Sequence, residues 1–171
     1  MSGFLTKQRL WGATTFVDHV SDYVYVHLMR DFSLANTLLA KEALEKVMAQ
    51  AGQSVKHYHA DNGSFSDNGF VDAVNIKSQK LTFCGVGAHD QNGKIENKNK
   101  VLTTGARTLL LHGIMMWPQM IDDMFWPFAM KAVAERLNSL QIDTLGRTAE
   151  SILRGIEVQE IQVKSYQVLF F

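Results

Sequence analysis

The sequence predicts an α/β fold with a mixed sheet, and three observations support this prediction. Short runs rich in β-branched and aromatic residues alternate with longer segments of helical periodicity. Their order along the chain is β-β-α-β-α-β-α-α, which is typical of α/β domains. The chain has 171 residues, of which 46% are hydrophobic, 12 are Gly and 2 are Pro. This is enough for one compact domain and leaves little material for linkers.

The strands are predicted from short apolar runs. Residues 13–17 and 23–29 are such runs, and the polar segment between them predicts an antiparallel hairpin. Two shorter runs predict strands over residues 54–58 and 80–84. Residues 158–171 have the composition of one or two further strands.

The helices are predicted from apolar spacing and from residues that favour helix ends. Ser33 is placed to cap a helix that runs to about residue 51, where Gly52 follows as a stop. Pro127 suits the first position of a late helix, because a helix leaves that N–H group unpaired in any case. The predicted helices after the first one cover residues 67–76, 94–112 and 127–141.

Composition excludes several classes of protein. Lys plus Arg and Asp plus Glu each total 17, so the chain is not a globally basic, histone-like nucleic-acid binder. Cys84 is the single cysteine, which excludes an intramolecular disulfide and a zinc site built on cysteine pairs. No apolar run approaches ~18 residues, and no secretory signal pattern is present. We therefore expect an intracellular protein with no membrane partner.

Two carboxylates stand out for their predicted positions. Asp61 follows a predicted strand, and Glu96 lies in the first turn of the long predicted helix. Mg²⁺ prefers one or two carboxylates together with water and phosphate oxygens, so this pair is a candidate metal site. Position alone leaves the alternative open that both are ordinary solvated side chains.

The segments around these carboxylates match a known family. His-Ala-Asp-Asn-Gly at 59–63 and Gln-Asn-Gly-Lys-Ile-Glu at 91–96 resemble the motifs of the integrase catalytic core of copia-type LTR retrotransposons and retroviruses. The family's spacing of about 35 residues between its second Asp and its Glu is also present. Further segments that resemble the family follow its order: FVDHVS at 16–21, ENKNK at 96–100, ARTLL at 106–110, FWPFA at 125–129 and RTAES at 147–151.

The resemblance implies a fold, an activity and a set of site residues. The family has a ribonuclease H-like mixed sheet flanked by helices. Its intact members use two Mg²⁺ or Mn²⁺ ions to cut element ends and join them to target DNA. Asp61 and Glu96 would be the second and third catalytic, metal-binding carboxylates. The loop residues expected to support this site are Asn62, Gly63, Gln91, Asn92 and Gly93.

The first catalytic Asp of the family has no match in these residues. It lies on a strand upstream of the FVDHVS segment, and Asp18 matches that segment's non-catalytic Asp instead. Residues 1–16 contain no Asp or Glu. We therefore expect residues 1–141 to form a catalytic-core-like domain that lacks the first, central strand. Residues 142–171 are expected to form a C-terminal extension with one or two short strands.

A local basic region lies beside Glu96. Residues 94–107 contain the bases Lys94, Lys98, Lys100 and Arg107 against one acid, a net charge of +3. Helical spacing puts Lys100 and Arg107 on the face that carries Glu96. The resemblance makes these four bases candidates for binding DNA phosphates. A solvated helix face is the alternative.

These observations leave three functional hypotheses. The first is a retrotransposon integrase catalytic domain, nuclear and DNA-binding by resemblance, whose 171 residues are inactive because one carboxylate is missing. The second is a non-enzymatic ribonuclease H-like module or element relic that binds nucleic acid weakly or associates with further copies of itself. The third is an unrelated α/β domain with structural carboxylates. Whether the chain is an enzyme stays open at this stage.

Overall fold

A computed structural model describes residues 9–61, 63–84 and 93–156. The element order begins with β1 (Gly12–Val17), β2 (Val24–Met29), α1 (Leu34–Gln50), β3 (His57–Ala60), α2 (Asn68–Ile76) and β4 (Lys80–Phe83). It continues with α3 (Gly93–Met116), α4 (Trp126–Leu140) and α5 (Ala149–Arg154). Short 3₁₀ turns cover Ser64–Ser66 and Asp123–Phe125. The α/β class predicted from the sequence is confirmed.

The described strands form two separate pairs. β1 and β2 are antiparallel, with Gly12 opposite Met29 and Val17 opposite Val24. β3 and β4 are parallel, with His57 opposite Lys80. No hydrogen-bonded strand joins the two pairs within the described residues. The described strands therefore form two small sheets, one antiparallel and one parallel, where the sequence predicted one mixed sheet.

The predicted strand over residues 54–58 is wrong in its bounds, because β3 begins at His57. Pairing with β4 determines this start: the Lys80 N–H donates to the carbonyl of Lys56, and the ladder continues from there. Helix α5 was not predicted at all. Its Thr148–Ser151 capping box is a sequence signal that was available. The predicted strands over residues 158–171 lie outside the described residues.

Two apolar clusters hold the helices against the strands. On one face of the β1–β2 pair, Val24 and Val26 pack with Leu102 of α3 and Met130 of α4. Helices α3 and α4 approach closely at Gly105, where an added Cβ would lie 3.0 Å from a methyl of Val133. The other face of the pair packs into a second cluster, which α1 shares with β3 and α2.

The second cluster connects the two strand pairs through aromatic rings. Phe16 of β1 lies 6.2 Å from Phe65, which lies 5.2 Å from Phe70 of α2. Phe70 in turn lies 5.9 Å from Tyr58 of β3. These are centroid separations at which edge-to-face contacts are favourable. The rings therefore connect β1 to β3, which belong to different strand pairs.

A partly buried polar network fixes β3 to α1. Glu45 of α1 accepts hydrogen bonds from Lys41 at 2.7 Å and from the Tyr58 hydroxyl at 3.0 Å. Lys77 and Gln79, which lie between α2 and β4, donate to the same carboxylate. Burial raises the pKa of Glu45, but these four donors outweigh it and lower the pKa from 4.5 to about 2.

The outer edge of β2 is covered by a side chain from α4. The Asn138 amide accepts from the Val24 N–H and donates to the Val24 carbonyl, both at 2.8 Å. Asn138 is buried, and this pairing satisfies its amide without water. The other edge of β1 has no hydrogen-bonded strand partner among the described residues.

The Glu45 network makes stability depend on pH in a defined window. Since the folded pKa is below the unfolded value, the stabilisation is complete above pH 4.5 and is lost as pH falls towards 2. We expect about 1–2 kcal/mol from this group, because Lys77 is half exposed and solvent screens its charge. Urea unfolding of the wild type and of Glu45→Gln at pH 7 and pH 3 measures this contribution.

The matched control is Glu42→Gln on the exposed side of the same helix. The wild type should lose more stability than Glu45→Gln between pH 7 and pH 3, and Glu42→Gln should follow the wild type. Equal losses in all three proteins would show that Glu45 does not carry this pH dependence.

Candidate metal and nucleic-acid site

Asp61 is positioned by the strand that precedes it. It directly follows β3 and is exposed. Its Oδ1 accepts a hydrogen bond from the Gly63 N–H at 3.3 Å, which turns the carboxylate back over its own loop. A Cβ at Gly63 would lie 3.2 Å from that Oδ1, so glycine keeps this space open. Asn62 lies outside the described residues.

Glu96 is positioned by a long helix. It lies in the first turn of α3, where the helix dipole favours a negative charge, and it is exposed. Gly93 is the first residue of this helix, which begins one residue before the predicted start. Gln91 and Asn92 lie outside the described residues.

One open cavity of about 1170 Å³ has both carboxylates in its lining. Its lining includes Asp61 and Gly63 from the β3 loop and Lys94, Glu96 and Asn99 from α3. Strand β1 forms another wall of the same cavity. The structure therefore places Asp61 and Glu96, which are 35 residues apart in the sequence, around a common space.

Two carboxylates beside an open space match the preference of Mg²⁺ and Mn²⁺ for few protein oxygens plus phosphate and water. Within residues 9–61, 63–84 and 93–156, no cluster of three or more His, Cys, Asp or Glu side chains is arranged to hold a metal ion. In number and type, Asp61 and Glu96 are the ligands that one hydrated divalent ion would need, with water or a phosphate group in its other positions.

Asp18 has a structural function in the β1–β2 turn. Its Oδ2 accepts hydrogen bonds from both the backbone N–H and the hydroxyl of Ser21, each at 2.7 Å. The Asp18 N–H donates to the carbonyl of Tyr23 at 2.9 Å, which closes the same turn. These bonds account for an Asp at this position without a catalytic function.

Two of the four predicted DNA-binding bases are engaged by an acid. Lys94 forms an ion pair with Asp22 and also donates to the carbonyl of His19 at 2.7 Å. Lys98 lies 3.4 Å from the other oxygen of Asp22. Burial raises the pKa of Asp22, but the hydrogen bonds and charges of the two lysines together outweigh burial. The pKa of Asp22 is therefore below its ordinary value.

Sequence reasoning missed Asp22, because it belongs to the β1–β2 turn and is distant from α3 in the sequence. No sequence signal pointed to this pairing. With Asp22 counted, the local charge around the start of α3 falls from +3 to +2. Lys100 and Arg107 are exposed on α3 and form no ion pair with other described residues.

A row of polar side chains lies on the exposed face of β3 and β4. The Thr82 hydroxyl lies 2.7 Å from His57 Nε2 and 2.9 Å from His59 Nδ1. His59 Nε2 lies 3.3 Å from the Cys84 sulfur. The two histidines therefore bond across the strand pair, on the strand that ends at Asp61.

Comparison with known proteins identifies the fold. The chain resembles the HTLV-2 integrase catalytic core domain in complex with magnesium, in its trimeric form, with a TM-score of 0.64 and 18% identity. That match covers 88% of this chain and 90% of the other. The catalytic core domain of BIV integrase matches with a TM-score of 0.60 and 16% identity, over 85% of this chain and 93% of the other.

A third match is to a simian T-cell lymphotropic virus intasome, in complex with the PP2A regulatory subunit B56 gamma. It has a TM-score of 0.65 and 17% identity, and covers 95% of this chain and 53% of the other. No protein-family model and no curated protein sequence matches the chain.

The structure therefore has a fold similar to that of integrase catalytic cores. At 16–18% identity these matches show the fold alone, and all three are to retroviral proteins. The copia-type resemblance stays a prediction. None of the helices among the described residues has the length and hydropathy needed to span a bilayer.

The paired carboxylates predict a measurable cation affinity. We expect Asp61→Asn and Glu96→Gln each to weaken Mn²⁺ binding at least about tenfold, because each removes one of two anionic ligands. Isothermal titration calorimetry with Mn²⁺ alone measures this. Asp72→Asn on the exposed side of α2 is the matched control and should bind like the wild type. Equal affinity in all four proteins would contradict the site.

Proposed function

We propose that this chain is an integrase-type domain of copia-like descent that binds DNA along α3 and a divalent cation between Asp61 and Glu96. The observation that carries the proposal is the shared cavity, which has both carboxylates and the start of α3 in its walls. The integrase-core fold supports it. A magnesium complex of a structural neighbour supports Mg²⁺ or Mn²⁺ as the ion.

The proposed function of each side chain follows from its position. Asp61 and Glu96 hold the cation, which when bound neutralises charge on a phosphate oxygen. Lys100 and Arg107 contact phosphates further along the helix. Lys94 and Lys98 are partly neutralised by Asp22 and contribute less. A DNA partner of this kind implies a nuclear protein.

We further propose that the 171 residues do not catalyse strand transfer by themselves. Two-metal chemistry requires ligands that hold both ions about 4 Å apart. Three carboxylates line the cavity, Asp18, Asp61 and Glu96, but Asp18 already accepts two hydrogen bonds from Ser21 in the β1–β2 turn, which leaves two for metal ions. In a strand-transfer assay with Mn²⁺ and a short DNA duplex we expect no joined product.

The second candidate function is association with further copies of the chain. Several apolar side chains between the end of α3 and the start of α4 are exposed. They are Met115, Met116, Met120, Met124, Phe125 and Phe128. Exposed apolar side chains that join into one patch are typical of protein interfaces. Structural neighbours occur in dimeric and trimeric forms, which is compatible with this candidate.

The ion pairs of Asp22 make DNA binding sensitive to its charge. With two phosphates neutralised by Lys100 and Arg107, affinity for a short duplex should fall about 12-fold between 50 and 200 mM salt. Asp22→Asn should bind more tightly and with a steeper salt dependence, because it releases Lys94 and Lys98. Asn also tolerates the left-handed backbone at this position, where φ is 63°. Fluorescence anisotropy measures both effects.

Asp72→Asn changes the total charge by the same amount and is the matched control. It should leave the salt dependence at the wild-type value. Lys100→Ala and Arg107→Ala should each lower the log–log slope by about 0.9. Equal slopes in all these variants would contradict α3 as the DNA-binding element.

A further inference from the structure

The first turns of α3 extend beyond the apolar core. Leu102 is the first buried residue of this helix, and Glu96 lies six residues before it. At a rise of about 1.5 Å per residue, Glu96 is therefore about 9 Å along the helix axis from that residue. Helix ends that are not packed tend to fray, because their terminal backbone groups have no partner within the helix. The position of Glu96 therefore depends on what holds the first turn.

The β1–β2 turn holds this part of the helix. Lys94 forms an ion pair with Asp22 and donates to the carbonyl of His19 at 2.7 Å. Lys98, one helical turn further on, lies 3.4 Å from the other oxygen of Asp22. The side chain of Lys98 is only 12% exposed, so solvent screens this contact less than an open surface pair. One carboxylate thus contacts two successive turns of α3.

Hydrogen bonds within the turn fix the position of Asp22. Its N–H donates to the carbonyl of Asp18 at 3.1 Å, and its φ of 63° is one that Asp adopts more readily than most residues. Ser21 beside it is buried, and its hydroxyl donates to Asp18 and accepts from the N–H of Tyr23. The Asp22 carboxylate is therefore presented to α3 by an ordered turn of the β1–β2 pair.

We propose that Asp22 is a positioning residue for the cation site. Through Lys94 and Lys98 it holds the first turn of α3, and with it Glu96, at the cavity that Asp61 also lines. Asp22 does not line the cavity, so it acts on the ion through the helix. This inference rests on the proposed function, because it concerns the same two carboxylates.

The proposal predicts that loss of Asp22 changes the two affinities in opposite directions. Asp22→Asn releases Lys94 and Lys98 and strengthens DNA binding. The same substitution should weaken Mn²⁺ binding about threefold to fivefold, because ion pairs that form a network at this exposure contribute an effect of that size.

Lys94→Met separates positioning from the effect of charge alone. Removal of a positive charge beside a cation site should tighten Mn²⁺ binding through space. If Lys94 holds the helix to Asp22, Lys94→Met should instead weaken Mn²⁺ binding about threefold to fivefold. Lys94→Arg keeps the charge that pairs with Asp22 and should retain most of the affinity.

Lys100→Met is the charge reference for this experiment. Lys100 lies one turn after Glu96 and forms no ion pair with other described residues. Its replacement removes the same charge as Lys94→Met but releases no contact to the β1–β2 turn. We therefore expect Lys100→Met to tighten Mn²⁺ binding, which is opposite in sign to the effect of Lys94→Met.

Isothermal titration calorimetry of the full chain with Mn²⁺ alone measures these affinities. The double variant Asp22→Asn/Lys94→Met should bind no more weakly than the weaker of its two single variants, because both substitutions break the same connection. Neither side chain belongs to an apolar cluster, so the far-ultraviolet circular dichroism of every variant should match that of the wild type.

The outcomes distinguish the positioning proposal from the cation site itself. If Asp61→Asn and Glu96→Gln weaken Mn²⁺ binding while Lys94→Met tightens it or leaves it unchanged, the site stands and Asp22 does not position it. If Asp61→Asn and Glu96→Gln leave the affinity unchanged, the proposed function is wrong and the positioning proposal fails with it. Weaker, non-additive binding in Asp22→Asn and Lys94→Met supports the proposal.

Discussion

The packing of α1 against both strand pairs is the constraint on which the rest of the structure depends. In the described chain β1 and β3 share no backbone hydrogen bonds. Side-chain contacts therefore hold the two strand pairs against each other. The ring contacts from Phe16 to Tyr58 supply the apolar part of this connection. Glu45 supplies the polar part, since it bonds Tyr58 of β3 from the buried side of α1.

This arrangement determines the geometry of the candidate site. Asp61 follows β3, so its position depends on the cluster and on Glu45. Glu96 lies in the first turn of α3, which packs on the other face of the β1–β2 pair and is connected to the β1–β2 turn through Lys94 and Asp22. The two carboxylates thus belong to different halves of the molecule. Their relative position therefore depends on side-chain packing between the two strand pairs.

Local sequence signals predicted the hairpin and four helices, because each has its own periodicity or cap. Helix α5 was not predicted, because six residues are too few to show a helical periodicity. Its capping box was the one sequence signal for it. The start of β3 was misplaced because pairing with β4 determines it, and pairing is a tertiary property. Asp61 and Glu96 were singled out through their motifs; the structure puts both in the lining of one cavity, and their function stays a prediction. The neutralisation of Lys94 and Lys98 by Asp22 could not be found from sequence, because it joins residues more than 70 positions apart.

The central claim is that Asp61 and Glu96 form one cation site although they come from separate halves of the structure. A crystal of the full chain grown with Mn²⁺ tests this directly through the anomalous scattering of the ion. The account predicts one peak with oxygen atoms of both carboxylates at about 2.1–2.2 Å, completed by water. A peak bound by only one of these carboxylates, or a peak elsewhere such as at Asp122 and Asp123, would contradict it.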